Sequence, residues 1–189
     1  IVNREIVRIV TPGTITEESL LPARQAQALV ALVFGAGGGD AALAACDVST
    51  GYFEVFAFAP EVLAETLGAF PVRELLGTER DAERPLIGIA NEARKLPLTY
   101  RPNSAASSKS GERLLKDAFK VAALDAFGSF SKSELGACGL LLDYLSLTQA
   151  GADIRLDPPK RSAKTRALSI APATRASLEI ATALNGSRQ

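Results

Sequence analysis

The sequence predicts an α/β domain over residues 1–128, strands with interleaved helices, followed by an all-α helical segment over residues 129–189. Three observations carry this expectation. Residues 41–58 read as a hairpin, one strand ending in Asp47, a turn on Thr50 and Gly51, and a returning strand. Residues 28–34, "ALVALVF", are a short apolar run closed by "GAGGGD", as suits a buried strand and a loop. After residue 111 the apolar period becomes helical, and Ser131 with Glu134 has capping-box spacing.

Taken in order, "REIVRIVTPGT" (Arg4 to Thr14) is an extended run closed by the turn dipeptide Pro12-Gly13. Thr14 and Glu17 have capping-box spacing for a short helical turn. The glycine-rich loop after residue 34 invites a phosphate reading, but no Gly-Lys-Ser/Thr follows and a strand comes next, so a helix N-terminus to cradle the anion is missing. In the hairpin, Phe53, Val55 and Ala57 share one face and Tyr52, Glu54 and Phe56 the other, with one face expected inward. Pro60, Val62, Leu63, Leu67 and Phe70 mark an amphipathic helix, "VRELLG" a short strand, and "RPLIGIA" (residues 84–90) allows another.

"NSAASSKSG", residues 103–111, is small and polar with nothing to bury, and is expected to be a mobile loop. Leu115, Phe119 and Ala122 then repeat at helical spacing, and Leu135, Cys138, Leu142 and Leu145 form a nearly heptad stripe. "DIRLDPPKRSAKTR" is an irregular interruption, and "APATRASLEIATALNG" reads as a helix with Pro172 early and Asn185-Gly186 as its stop. The stripes of the two later helices have two readings: an interaction face, or a face that folds back on the first domain. No internal repeat is visible.

Composition narrows the chemistry. At 189 residues, 47% hydrophobic and 22% charged, the chain can bury a real core. No window reaches the roughly 18 apolar residues of a membrane span, and Arg4, Glu5 and Arg8 make the start unlike a signal peptide. Lys plus Arg and Asp plus Glu number 21 each, so any nucleic-acid contact would have to be local. Histidine is absent, which removes Ser-His-Asp and Cys-His catalysis and most zinc sites. Cys46 and Cys138, far apart and outside any CxxC, are expected to be buried thiols in a reducing compartment. The lack of methionine, even at position 1, is read as the mark of an excised fragment of a cytoplasmic parent.

Two residue groups invite a functional reading. Asp47 at the hairpin tip is a candidate metal-binding carboxylate of a nuclease, with Glu54, Glu74, Asp81 and Glu92 as candidate companions. A lone aspartate cannot hold the two ions of phosphodiester cleavage. Locally, the Asp47 side chain can instead bond backbone amides in the turn that Ser49, Thr50 and Gly51 complete. The basic cluster Lys160, Arg161, Lys164 and Arg166 can touch phosphate or be a solvated loop; no aromatic residue for base stacking lies nearby in sequence.

Several stretches together resemble the MutS family of bacterial DNA mismatch-repair proteins. "REIVRIVTPGT", with Thr11, Pro12, Gly13 and Thr14, is similar to that family's entry into its connector domain. "CDVSTGYFEV" (Cys46 to Val55) resembles the connector's Asp-x-Ser-Thr-Gly hairpin, and "ACGLLLDYLSLTQ" (Ala137 to Gln149) the helix that opens the lever region. "IAPATRASLEI" (Ile170 to Ile180) is similar to a further family segment, with Thr174, Arg175, Leu178 and Glu179 retained, but Ala171 in place of aspartate and Ser177 in place of asparagine. The resemblance implies a connector domain with an RNase H-like mixed sheet and flanking helices over 1–128, and the first part of a helical lever domain over 129–189. Active members of that fold place their first metal-binding carboxylate near the Asp47 point of the first strand. What the resemblance implies in function is a non-catalytic segment that couples mismatch recognition to an ATPase and offers a surface to a MutL-type matchmaker. It implies no catalytic residue, metal or cofactor in this stretch: ATP and magnesium belong to the parent's ATPase domain. It also implies a parent that meets mismatched DNA and is a homodimer, with no membrane partner.

Overall fold

Seven consecutive apolar residues make β1 (Ala28–Phe34), and all seven are buried, so both faces of this strand are covered. A computed structural model describes residues 11–14, 28–85, 87–88, 95–149 and 155–161. After the glycine loop β2 (Ala41–Cys46) returns antiparallel to β1, in register from Leu29 opposite Cys46 to Phe34 opposite Ala41. β3 (Phe53–Phe58) is antiparallel to β2, whereas β4 (Val72–Thr78) lies parallel to β1 on its other side and β5 (Leu98–Arg101) parallel to β4. A two-residue strand, β6 (Lys160–Arg161), adds parallel to β3, giving the order β5-β4-β1-β2-β3-β6. The α/β architecture is thus that of a mixed sheet.

The period-two alternation of β1 to β3 divides the core in two. Leu29, Ala31, Val33, Ala42, Ala44, Cys46, Phe53 and Val55 face one side; Val30, Leu32, Phe34, Leu43, Phe56 and Phe58 face the other. Both sides are covered, which corrects the expectation that only one face of the hairpin turns inward. The second side is closed by α1 (Leu63–Gly68), a single short helix entered through Pro60, with Leu63 and Leu67 buried and Phe70 stacked on Phe56. The first side is closed by α2 (Ser108–Phe119) and α3 (Lys132–Thr148). Ala42 and Ala44 of β2 keep that surface low, which lets a helix lie close on it.

Helix α3 starts as the sequence predicts: the Ser131 hydroxyl accepts from the Glu134 amide and the Glu134 carboxylate accepts from the Ser131 amide. Twelve of its seventeen residues are buried, because it lies between the sheet and α2. Of the two readings of its stripe, α3 follows the one in which the stripe folds back on the sheet. A cut between residues 128 and 129 would therefore pass through this core and strip α3 from the strands it covers. Leu147, 46% exposed, is the one large apolar residue left in solvent among the described residues.

Three local expectations are corrected. Residues 103–111 do not form a mobile loop: Asn103–Ala106 is a 3-10 turn, Ser107 caps α2 through the Ser110 amide, and the small residues allow tight contact with α3. A Cβ on Gly111 would lie 1.8 Å from the Leu135 carbonyl oxygen, and one on Gly136 2.5 Å from that of Ala106. "RPLIGIA" is not a strand where it is described, since Pro85, Ile87 and Gly88 are helical and Ile87 packs under the sheet; the next strand is β5. Helix α2 stops at Phe119, before Ala122, on a left-handed Lys120 with φ of 55°.

Candidate functional site

Two polar clusters bracket the start of β1. The first is the hairpin tip. The Asp47 carboxylate accepts hydrogen bonds from the Ser49 amide at 2.9 Å and the Ser49 hydroxyl at 2.6 Å, while its carbonyl accepts from the Gly51 amide at 2.9 Å. This is the Asx-type turn that the Asp-x-Ser-Thr-Gly spacing predicts. Gly51 is required twice over, by a φ of +82° and because an added Cβ would meet the Arg155 carbonyl oxygen at 2.9 Å. Its own carbonyl accepts from the Asp157 amide at 2.7 Å, so the tip seats residues 155–157.

Of the proposed companions of Asp47, Glu74 and Asp81 stand apart from it. Asp47 follows the second strand of the sheet, not the first, and Leu29 of β1 is flanked by Cys46 on one side and Glu74 on the other. Asp47 and Glu74 are therefore separated by two strand spacings, about 10 Å, more than the separation of a shared ion pair. Glu54, opposite Ala45 in the β2–β3 register and on the Phe56 side of the sheet, is engaged locally, accepting from the Tyr52 hydroxyl. Asp81, past the far end of β4, accepts from Thr78 at 2.7 Å and Arg84 at 2.6 Å. Glu92 lies outside the described residues, among which no three acidic or thiol groups converge to hold an ion. Replacing Asp47 by alanine should cost about 1 kcal/mol of stability through the turn, with asparagine costing less, as read from urea unfolding midpoints; a loss of several kcal/mol would show that the carboxylate does more than hold the bend.

The second cluster is centred on Glu74, 2% exposed. One carboxylate oxygen accepts from the Gly13 amide at 3.0 Å; the other accepts from the Tyr144 hydroxyl at 2.6 Å and the Thr99 hydroxyl at 3.0 Å. The turn is itself closed: the Thr14 amide donates to the Thr11 carbonyl at 3.0 Å and the Thr11 amide to the Thr14 hydroxyl at 2.9 Å. It thus docks as a unit. Gly13 has no room for a side chain, since a Cβ would fall 2.8 Å from Leu29 and 3.0 Å from Glu74. Burial, and then the hydrogen bond to Glu74, raise the Tyr144 hydroxyl above its ordinary value, keeping it a donor. Glu74 was legible only as an acid inside an apolar strand; its partners come from three separate segments.

The basic cluster resolves in part. Arg161 donates to Glu134, 1% exposed at its side chain, through Nε at 3.1 Å and Nη2 at 3.3 Å. Lys160 lies 5.7 Å from the centre of the Tyr52 ring. These two residues form β6, so this part of the expected irregular loop is an edge strand. Lys164 and Arg166 lie outside the described residues, as does the segment from Ile170 to Ile180. Both cysteines are fully buried free thiols, held well above the ordinary value first by burial and second by a neighbouring carboxylate, Asp47 or Glu134.

Comparison with known proteins decides the family. The family model described as MutS domain II matches residues 27–158. The chain is 43% identical over 189 residues to a DNA mismatch repair protein MutS of Paracoccus denitrificans, and 39% identical over 188 residues to that of Ruegeria pomeroyi; each match covers 100% of the chain and 21% of the relative. The MutS of Cereibacter sphaeroides is 43% identical over 189 residues, with the same coverage.

The chain belongs to the MutS family.

It spans about one fifth of the length of the MutS relatives it matches. MutS domain II is the RNase H-like connector, and the mixed sheet described above is its framework. Within this MutS domain the geometry places the two quoted end segments in contact: Gly13 of the Thr-Pro-Gly-Thr turn and Tyr144 of the "LLLDYLSLTQ" helix share one carboxylate. No helix among the described residues is long and apolar enough to cross a membrane.

Proposed function

We propose that this chain is a non-catalytic connector that passes conformational state between the mismatch-reading and ATPase parts of a longer MutS protein. The observation that carries the reading is the Glu74 junction: the turn at Thr11–Thr14 and helix α3, whose sequences resemble the entry to the connector and the start of the lever, are bonded to one buried carboxylate. A displacement of either segment is felt by the other, which is what transmission between two sites needs. The connector takes no cofactor of its own in this reading; ATP and magnesium act in the ATPase domain. Its working partners are mismatched DNA, met through the whole protein, a second copy in a cytoplasmic homodimer, and a MutL-type matchmaker on the connector surface. The hairpin tip, Asp47 with Ser49, Thr50 and Gly51, serves as a rigid bend.

The test uses full-length protein carrying Tyr144→Phe, which removes one bond of the junction and keeps the ring. Mismatch affinity without nucleotide and basal ATP hydrolysis should stay close to wild type, while the change in mismatch affinity on adding ATP should shrink about fivefold or more. An unchanged response to ATP in a variant whose Gly13 amide exchanges faster would remove the junction from the coupling.

A further inference from the structure

We propose that residues 155–161 form a strap whose seating sets the conformation of the glycine loop at residues 35–40, through a polar relay that runs along the start of α3. This goes beyond the connector reading and does not depend on it. The strap is seated at three points: Asp157 donates its amide to Gly51, β6 pairs with Glu54 and Val55, and Arg161 grips both oxygens of Glu134. Glu134 is also the capping-box residue, accepting from the Ser131 amide at 2.7 Å. One buried carboxylate therefore serves the strap and the helix cap together.

The relay continues with its proton directions fixed. Ser133, 4% exposed, donates its one hydroxyl proton to Asp40 at 2.5 Å. The contact of 3.0 Å between the Ser131 and Ser133 hydroxyls must then be donated by Ser131, whose lone pair accepts the Glu134 amide at 3.2 Å. Asp40 closes the loop, its carbonyl accepting from the Gly35 amide at 2.8 Å while its carboxylate fills the space where a Gly35 side chain would stand, 2.0 Å from such a Cβ. The Gly38 amide donates to the Gly35 carbonyl at 2.9 Å. Gly37 and Gly39 have no neighbour within 4 Å of an added Cβ, so what orders this loop is its base. Releasing Arg161 leaves Glu134 as a buried charge short of donors; its carboxylate must shift, and Ser131 and Ser133 turn with it. The loop is thus the output of a two-state contact and the strap its input.

Amide hydrogen exchange on the 189-residue chain tests this. Arg161→Met, which keeps an apolar stem, should speed exchange of the Gly35 and Gly38 amides about fivefold or more, with β1 amides unchanged. In a Ser133→Ala background, where the relay is cut but the Ser131 cap remains, Arg161→Met should add nothing. Coupling is reciprocal, so Asp40→Ala, a change at an exposed position of the loop, should speed exchange of the Asp157 amide in the strap. Loop amides that ignore Arg161→Met, an equal response with Ser133→Ala present, or an Asp157 amide unmoved by Asp40→Ala would each overturn the proposal.

Discussion

Replacing Gly111 by alanine should destabilise the chain by about 3 kcal/mol, the opposite sign from what a helical glycine normally gives. In an exposed helix interior the same change stabilises by about 1 kcal/mol, since alanine loses less backbone entropy. Gly111 is inside α2 but fully enclosed, and its Cβ would stand 1.8 Å from the Leu135 carbonyl oxygen, 2.7 Å from the carbon of that group and 3.2 Å from the Gly139 nitrogen. All three are backbone atoms, so no side chain can swing aside and α2 must lift from α3. Lifting it uncovers Leu115 and loosens the stacking of Phe53 on Phe119. Thermal or urea unfolding of Gly111→Ala beside Lys109→Ala, an exposed control on the same helix, gives the comparison. A Gly111 variant as stable as wild type would mean that the two helices are not in the contact described.

The second large effect is expected at Glu74. Glu74→Ala removes the acceptor of three buried or part-buried donors at once, the Gly13 amide and the Tyr144 and Thr99 hydroxyls, and should cost about 3 kcal/mol. The desolvation of the carboxylate is recovered in the variant, which keeps the loss below the sum of three broken bonds. Tyr144→Phe alone should cost about 2 kcal/mol, and the double variant should fall short of additivity by about 1 kcal/mol or more because both changes break one bond. Additive losses would show that Tyr144 and Glu74 act separately. Tyr144 also supplies a pH signature. Its folded value is raised, first by burial, above the ordinary 10.0, so the folded chain holds the proton longer than the unfolded chain and stability declines as the pH rises from there. Tyr144→Phe should lessen that alkaline decline, and Tyr100, also raised by burial, together with the buried Cys46 and Cys138 thiols, whose ordinary value of 9.0 is lower, should leave a remainder.

How much was legible beforehand differs by element. The strand at residues 28–34, the hairpin with its Asp47 turn and the capping box of α3 each depend on residues within a few positions of one another, and the structure places them where the spacing puts them. Residues 103–111 were misread because small polar residues usually mean a loop, whereas Gly111 is small in order to admit a neighbouring helix. β6 was unreadable because two residues carry no period, and it is held by contacts distant in sequence, the edge of β3, the Gly51 carbonyl and the Arg161 to Glu134 pair among them. Asp47 is legible because its partners lie within four residues, whereas Glu74, a candidate only as its companion, is bonded to three distant segments.

By itself the sequence determined the α/β class, the family, the Asp47 turn and the Ser131 cap, since these follow from periodicity and from short-range hydrogen-bond chemistry. Only the tertiary structure decided that α3 belongs to the sheet's core, that both faces of the sheet are closed, and that Gly13, Glu74, Thr99 and Tyr144 meet. Such meetings are set by how helices and strands close over one another, and residues 61 and 70 positions apart from Glu74 leave no periodic trace of their contact with it.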